Sequence, residues 1–207
     1  MNINNILAHR GYWKSEQEKN TFSALQKAIE KGYGFETDFR DCKRVVLISH
    51  NPPVGNEVTA EQVFEMYHNS NSNATLALNI KADGLQDMMK TLLEKYNIKN
   101  YFFFDMSVCD TIPYIEKGMT IASRISEYEQ KNPFWEDSQF VWMDFFHRNP
   151  MKEDIKKSLV KGKKVCIVSP DLHARINEPC WDILKGIDDD NLFLCTDHPD
   201  NAKEYLK

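Results

Sequence analysis

Ile6-Leu7-Ala8-His9-Arg10-Gly11 sets the pattern for the whole chain: a short apolar run that stops on a histidine, an arginine and a turn glycine. Gly34-Phe35-Glu36-Thr37-Asp38-Phe39 carries a pair of carboxylates at its end, and Val45-Val46-Leu47-Ile48-Ser49 runs into His50-Asn51. Further strand-like runs follow at Thr75–Ile80, Tyr101–Phe104, Thr120–Ile125, Phe140–Phe145, Lys164–Val168 and Leu192–Cys195. Between them apolar residues recur at helical spacing: Phe22, Leu25, Ala28 and Ile29; Val63, Phe64 and Tyr67; Leu85, Met88, Met89, Leu92 and Leu93. Later helical stretches are Asp110–Lys117, Lys152–Val160, Cys180–Ile187 and Pro199–Leu206. Strands alternating with helices predict a parallel sheet covered by helices. Eight such units predict an α/β protein with a compact (β/α)8 TIM barrel. Val45–Ser49 is one run too many and lies too close to Gly34–Phe39 for a helical crossover, so it is expected to form a hairpin-like extension or a bent second strand.

Composition narrows the classes. With 207 residues, 42% of them hydrophobic, the chain can bury a sizeable core, and no stretch reads as a linker, so residues 1–207 are expected to form one domain. A formal net charge of −5 argues against a general nucleic-acid surface or an anionic membrane face. A phosphate-bearing ligand must then be held by a few placed cations. Cys42, Cys109, Cys166, Cys180 and Cys195 are odd in number and widely spaced, as expected of reduced thiols in a cytoplasmic protein. No apolar run approaches a membrane span, so stable membrane insertion is not expected. Thr59 before Ala60-Glu61-Gln62 predicts a capping box, while Gly32 and Gly162 stand where helices should stop.

Barrel active sites lie at the C-terminal ends of the strands. In this chain those ends carry His9, Arg10, Glu36, Asp38, Asn79, Lys81, Asp105, Asp144 and Asp197. Glu36 and Asp38 are two apart and point the same way on a strand, where two carboxylates side by side need a cation. Oxygen ligands suit a hard divalent ion, Mg²⁺ or Ca²⁺, with positions left for water and phosphate. Arg124 ends another strand and is a candidate phosphate ligand. Trp13 and Trp142 are candidates for stacking on a sugar or polyol ring of the substrate. His68, His147, His173 and His198 lack comparable neighbours in sequence and read as surface or structural.

His9-Arg10-Gly11, Glu18-Lys19-Asn20-Thr21, Glu36-Thr37-Asp38 and His50, in that order, resemble the N-terminal signature of the glycerophosphodiester phosphodiesterase family. That family shares a barrel superfamily with phosphatidylinositol-specific phospholipase C. Asn79-Ile80-Lys81 resembles its Glu-Ile-Lys, and Thr196-Asp197-His198-Pro199 its closing Thr-Asp-x-Pro. The resemblance implies a metal-dependent phosphodiester hydrolase acting on a small phosphodiester. It makes His9 and His50 the general acid and base, gives Glu36 and Asp38 to a divalent metal, and gives Arg10 and Lys81 to phosphate. The chain departs from the pattern in three places. Asn79 replaces a third carboxylate, for which Asp105, or less directly Asp83, is the expected substitute; Asn51 replaces the acid after the second histidine; and only Asn51–Val58 separates His50 from Thr59, where the family carries an insertion that recognises glycerol. A shorter, more open rim suits a larger diester.

Two other functions compete. A metal-independent lyase of the phospholipase C type would form a cyclic phosphate and survive chelation, but Glu36 and Asp38 speak against it. A non-catalytic barrel that only binds would turn over no diester, yet this chain keeps both histidines, both acids and Lys81.

Overall fold

The computed structural model describes residues 5–207. Nine strands form one sheet: β1 (Ile6–His9), β2 (Gly34–Cys42), β3 (Val45–Ile48), β4 (Leu76–Ile80), β5 (Tyr101–Phe104), β6 (Ala122–Ile125), β7 (Phe140–Met143), β8 (Lys164–Val168) and β9 (Leu192–Thr196). Eight of them run parallel in the order β5-β4-β2-β1-β9-β8-β7-β6. A single parallel bridge, Phe103 to Ile121, joins β5 to β6 and nearly closes the barrel. The extra strand, β3, pairs antiparallel with the far half of β2, from Phe39 opposite Ile48 to Cys42 opposite Val45, as the short spacing predicts.

Seven α-helices cover the barrel: α1 (Phe22–Glu30), α2 (Ala60–Asn69), α3 (Gln86–Lys95), α4 (Val108–Glu116), α5 (Lys152–Val160), α6 (Glu178–Lys185) and α7 (Pro199–Tyr205). The expectation of eight full units is corrected at one place, because 126–139, between β6 and β7, is turns and irregular chain. Its Asn132-Pro133 breaks the backbone and Phe134-Trp135 are adjacent instead of helically spaced. The Thr59 capping box forms as the sequence predicts, with both reciprocal hydrogen bonds present.

Strand alternation sorts the core into two layers. Outward residues such as Ile6, Ala8, Phe35, Leu76 and Leu78 pack under α1 to α4, while Val141, Met143, Val165 and Ile167 pack under α5 to α7. Inward residues Leu7, Phe102, Phe104, Phe140, Trp142, Cys166, Phe193 and Cys195 fill the barrel. Phe102 stacks on Phe140 with centroids 4.3 Å apart, and Phe104 on Trp142 at 4.1 Å. This aromatic plug supports the layer above it. Among the described residues no helix is long and apolar enough to cross a membrane.

Candidate active site at the barrel mouth

Following the inward positions toward the strand C-termini turns each column from apolar to polar. Leu7 is followed by His9, Ala77 by Asn79, Ala122 by Arg124, Trp142 by Asp144 and Cys195 by Asp197, while β2 places Glu36 and Asp38 on the same face. Lys81 continues the column of β4, and its N–H donates to the Phe39 carbonyl. The mouth is therefore lined by charged groups over an apolar floor.

The turn after β1 has unusual backbone. Arg10 and Gly11 lie at φ 55° and 90°, and a Cβ on Gly11 would come within 2.6 Å of the Ala24 backbone in α1. This close approach lets the Arg10 N–H donate to Glu36 Oε2 at 3.3 Å and brings the Arg10 Nε within 3.1 Å of Asp38 Oδ2. Asn20 fixes the same corner: its N–H donates to the Arg10 carbonyl, its amide group donates to Asp38 Oδ2 at 2.9 Å, and its Oδ1 accepts from Thr37.

His9 is held by a carboxylate from the neighbouring strand end. Its Nδ1 lies 2.6 Å from Asp197 Oδ1, and its Nε2 lies 3.8 Å from Glu36 Oε2. Burial pushes the Asp197 carboxyl up, but the hydrogen bond from His9 and the charges of His9, Lys19 and His198 outweigh it and hold the carboxyl below its ordinary value. Asp197 is itself positioned by Asp171, whose Oδ2 accepts from the Asp197 N–H and from the Thr196 hydroxyl.

Glu36 carries an electrostatic cost. Burial, and then repulsion from Asp38, push its carboxyl up to about 7 despite the opposing influence of His9, Arg10 and Lys81. Two buried oxygens beside it, Asp38 Oδ1 and Asn79 Oδ1, have no hydrogen-bond donor, and Asp38 and Asn79 are register partners on β2 and β4. Among the described residues no three His, Cys, Asp or Glu side chains converge as a metal centre. Two carboxylates and an amide oxygen do gather here, and that donor set fits a hard divalent cation with most of its shell left to water and ligand.

Across the mouth the charges form a chain. Lys81 Nζ lies 3.7 Å from Asp38 Oδ1 and 3.6 Å from Asp105 Oδ2. Arg124 grips Asp105 through Nε at 3.1 Å and through a second guanidinium nitrogen, and reaches Asp144 Oδ2 at 3.3 Å. Asp144 in turn meets His173 Nε2 at 2.6 Å. Between the ends of β4, β5 and β6 a cleft of about 720 Å³ opens, lined by Lys81, Asp105, Arg124, Glu129, Asn132 and Phe134 among others.

No family model matches the sequence, and neither does any curated protein. Solved structures do match the fold. A candidate glycerophosphodiester phosphodiesterase from Galdieria sulphuraria shares 20% identity at a TM-score of 0.74, covering 98% of this chain and 97% of that one. A glycerophosphodiester phosphodiesterase from Parabacteroides distasonis shares 18% at 0.71, covering 98% and 96%. An Oleispira antarctica phosphodiesterase, in complex with the product sn-glycerol-3-phosphate, shares 13% at 0.72, again covering 98% and 96%. The barrel has the same fold as these solved phosphodiesterase structures.

Within this barrel the remaining sequence candidates fall in different places. Asp105, expected to complete the Glu36–Asp38–Asn79 oxygens, is engaged by Arg124 and by Lys81, which also reaches Asp38. Arg124 is tied to two carboxylates, which outweigh burial and raise its pKa. His50 is exposed; its Nδ1 faces the Asn51 side chain at 3.1 Å and its carbonyl accepts from Arg40. The hairpin returns it to the rim beside β2, since the preceding Ser49 N–H donates to the Asp38 carbonyl. Trp13 is half-buried at the rim, donating to the His9 carbonyl at 2.9 Å with Lys19 over its ring. Trp142 is not at the rim: it is 3% exposed and belongs to the aromatic plug, one layer below Asp144. His173, read as surface or structural, instead sits in the mouth. Sequence inspection passed over it because its partner Asp144 ends a different strand; a histidine just past one strand end, with a carboxylate at the end of the strand beside it, was the available signal.

Proposed function

We propose that this chain is a phosphodiester hydrolase that cleaves a small phosphodiester at the barrel mouth. The observation that carries it is the meeting, at one strand-end face, of an imidazole held by Asp197, two adjoining buried carboxylates, and the cations Arg10 and Lys81. A diester phosphate brings one negative charge, and Arg10 and Lys81 are the groups placed to receive it as charge grows on its oxygens. With Asp197 accepting from Nδ1, His9 has Nε2 bare to take a proton from the attacking hydroxyl or water. A second imidazole must protonate the departing oxygen; the sequence resemblance offers His50. Glu36, Asp38 and Asn79 are the residues that would hold Mg²⁺ or Ca²⁺, which when bound would draw negative charge off the phosphoryl oxygens. The short Asn51–Val58 segment favours a diester bulkier than a glycerol ester, and the cleft beside Lys81 and Arg124 gives it room.

Hydrolysis of a panel of alkyl phosphodiesters with Mg²⁺, Ca²⁺ or Mn²⁺, followed by release of the alcohol, tests this function. Activity on at least one diester, reduced at least about 10²-fold in His9→Ala, is the expected result. Full activity in His9→Ala, or no turnover of any diester by the wild type, contradicts it.

A further inference from the structure

The mouth contains a second imidazole–carboxylate pair, outside the sequence motif. His173 lies in the 3₁₀ turn Pro170–His173 that follows β8, and its Nε2 meets Asp144 Oδ1 at 2.6 Å. Asp144 is 6% exposed and anchored on its other oxygen by Arg124. Phe146 packs against the imidazole with centroids 4.6 Å apart, and the side chain keeps 19% of its surface open. Nδ1 of His173 has no hydrogen-bond partner among the described residues. The arrangement of the His9–Asp197 pair is repeated here: one ring nitrogen is oriented by a carboxylate, and the other makes no hydrogen bond among the described residues.

Position in the barrel separates His173 from His50. Displacement at phosphorus runs roughly in line, so the group that deprotonates the nucleophile and the group that protonates the leaving oxygen belong on opposite sides. His50 is tied through Ser49 to Asp38 on β2, the immediate neighbour of β1, which carries His9. His173 is tied to the end of β7, three places from β1 in the sheet order. Arg124, which anchors Asp144, also lines the 720 Å³ cleft, the space open to a departing alcohol. His50 moreover has only the neutral Asn51 amide beside it, whereas Asp144 can stabilise an imidazolium.

We propose that His173, oriented by Asp144, is the general acid of the proposed phosphodiesterase, protonating the leaving oxygen while His9 acts as base. This assignment rests on the phosphodiesterase function above. In the step, the bond from phosphorus to the leaving oxygen breaks with its electron pair on that oxygen, and the proton on His173 Nδ1 passes to it. A bond from the attacking oxygen to phosphorus forms, and the attacking oxygen's proton passes to His9 Nε2.

Leaving-group dependence tests the assignment. A p-nitrophenyl diester expels a stable phenolate and needs little acid catalysis; an alkyl diester needs it fully. His173→Ala should lose at least about 10²-fold in kcat on the alkyl ester and less than about tenfold on the nitrophenyl ester, with added imidazole restoring part of the alkyl activity. Asp144→Asn should show the same asymmetry, and a thermal melt of each variant separates this from misfolding. Equal losses on both esters, unimpaired alkyl activity in His173→Ala, or the asymmetric loss appearing in His50→Ala instead, would overturn the assignment while leaving the hydrolase intact. A wild type inert toward both esters would remove the hydrolase function itself.

Discussion

Glu36 couples its protonation state to folding. Its carboxyl, raised to about 7 by burial and by Asp38, binds a proton in the folded state across a range where the unfolded chain, with an ordinary value of 4.5, has lost it. Stability from this group is therefore present at low pH and falls as pH rises from about 4.5 through about 7, by up to about 3 kcal/mol. Denaturant midpoints measured with a chelator present should drop between pH 5 and pH 8 in the wild type and stay nearly level in Glu36→Gln; parallel curves would refute the burial argument. At pH 8, added Mg²⁺ or Ca²⁺ should raise the melting temperature of the wild type and not of Glu36→Gln, because a cation that binds only the folded state stabilises it by mass action. Asp197 makes a different contribution. Asp197→Asn should keep the fold yet lower kcat at least about 10²-fold, since an amide no longer fixes the His9 tautomer; a kcat within threefold of wild type would show that the pair is merely structural.

The turn from β1 into α1 is the element on which the mouth depends. A methyl group on Gly11 would meet the Ala24 backbone at 2.6 Å at a φ of 90°, so neither rotation nor side-chain movement relieves it. Gly11→Ala should lower stability by roughly 1–3 kcal/mol and, by moving Arg10, reduce activity further than the stability loss explains; calorimetry and kcat/KM on the same preparation check both. Elements of this kind were legible in the sequence because they are local. Apolar runs ending on charged residues marked the strands, and Thr59 to Gln62 announced the start of α2. The closeness of Val45 to Gly34–Phe39 forced the hairpin, which lengthened β2 to Cys42 beyond its apolar run because antiparallel pairing with β3 satisfies its backbone. No helical stretch is legible between β6 and β7 and none forms there, although counting strands implies a helix for each.

Barrel closure decided what the sequence did not reveal. Period-two alternation put His9, Glu36, Asp38, Asn79, Lys81 and Arg124 on inward columns, but which cation meets which anion depends on strands brought together only by folding. Asp105, a candidate metal ligand, meets Arg124 only in the folded barrel, and His173 looked isolated until β8 was laid next to β7. Trp142 shows how one layer changes a role: two residues before Asp144, it enters the plug against Phe104 instead of the mouth. Trp142→Ala should therefore cost about 3–5 kcal/mol, whereas Trp13→Ala should cost little stability and raise KM; the reverse pattern in unfolding and kinetic measurements would mean the layers are misassigned. The central claim, that the mouth binds a phosphodiester between cations and a positioned imidazole, is tested most directly by a crystal structure of the protein grown with a phosphomonoester product and Mg²⁺ or Ca²⁺. The account predicts phosphate oxygens within contact of Arg10 and Lys81, beside His9, with the cation on Glu36, Asp38 and Asn79. Phosphate bound elsewhere on the barrel, with Arg10 and Lys81 still closed onto Asp38, would contradict it.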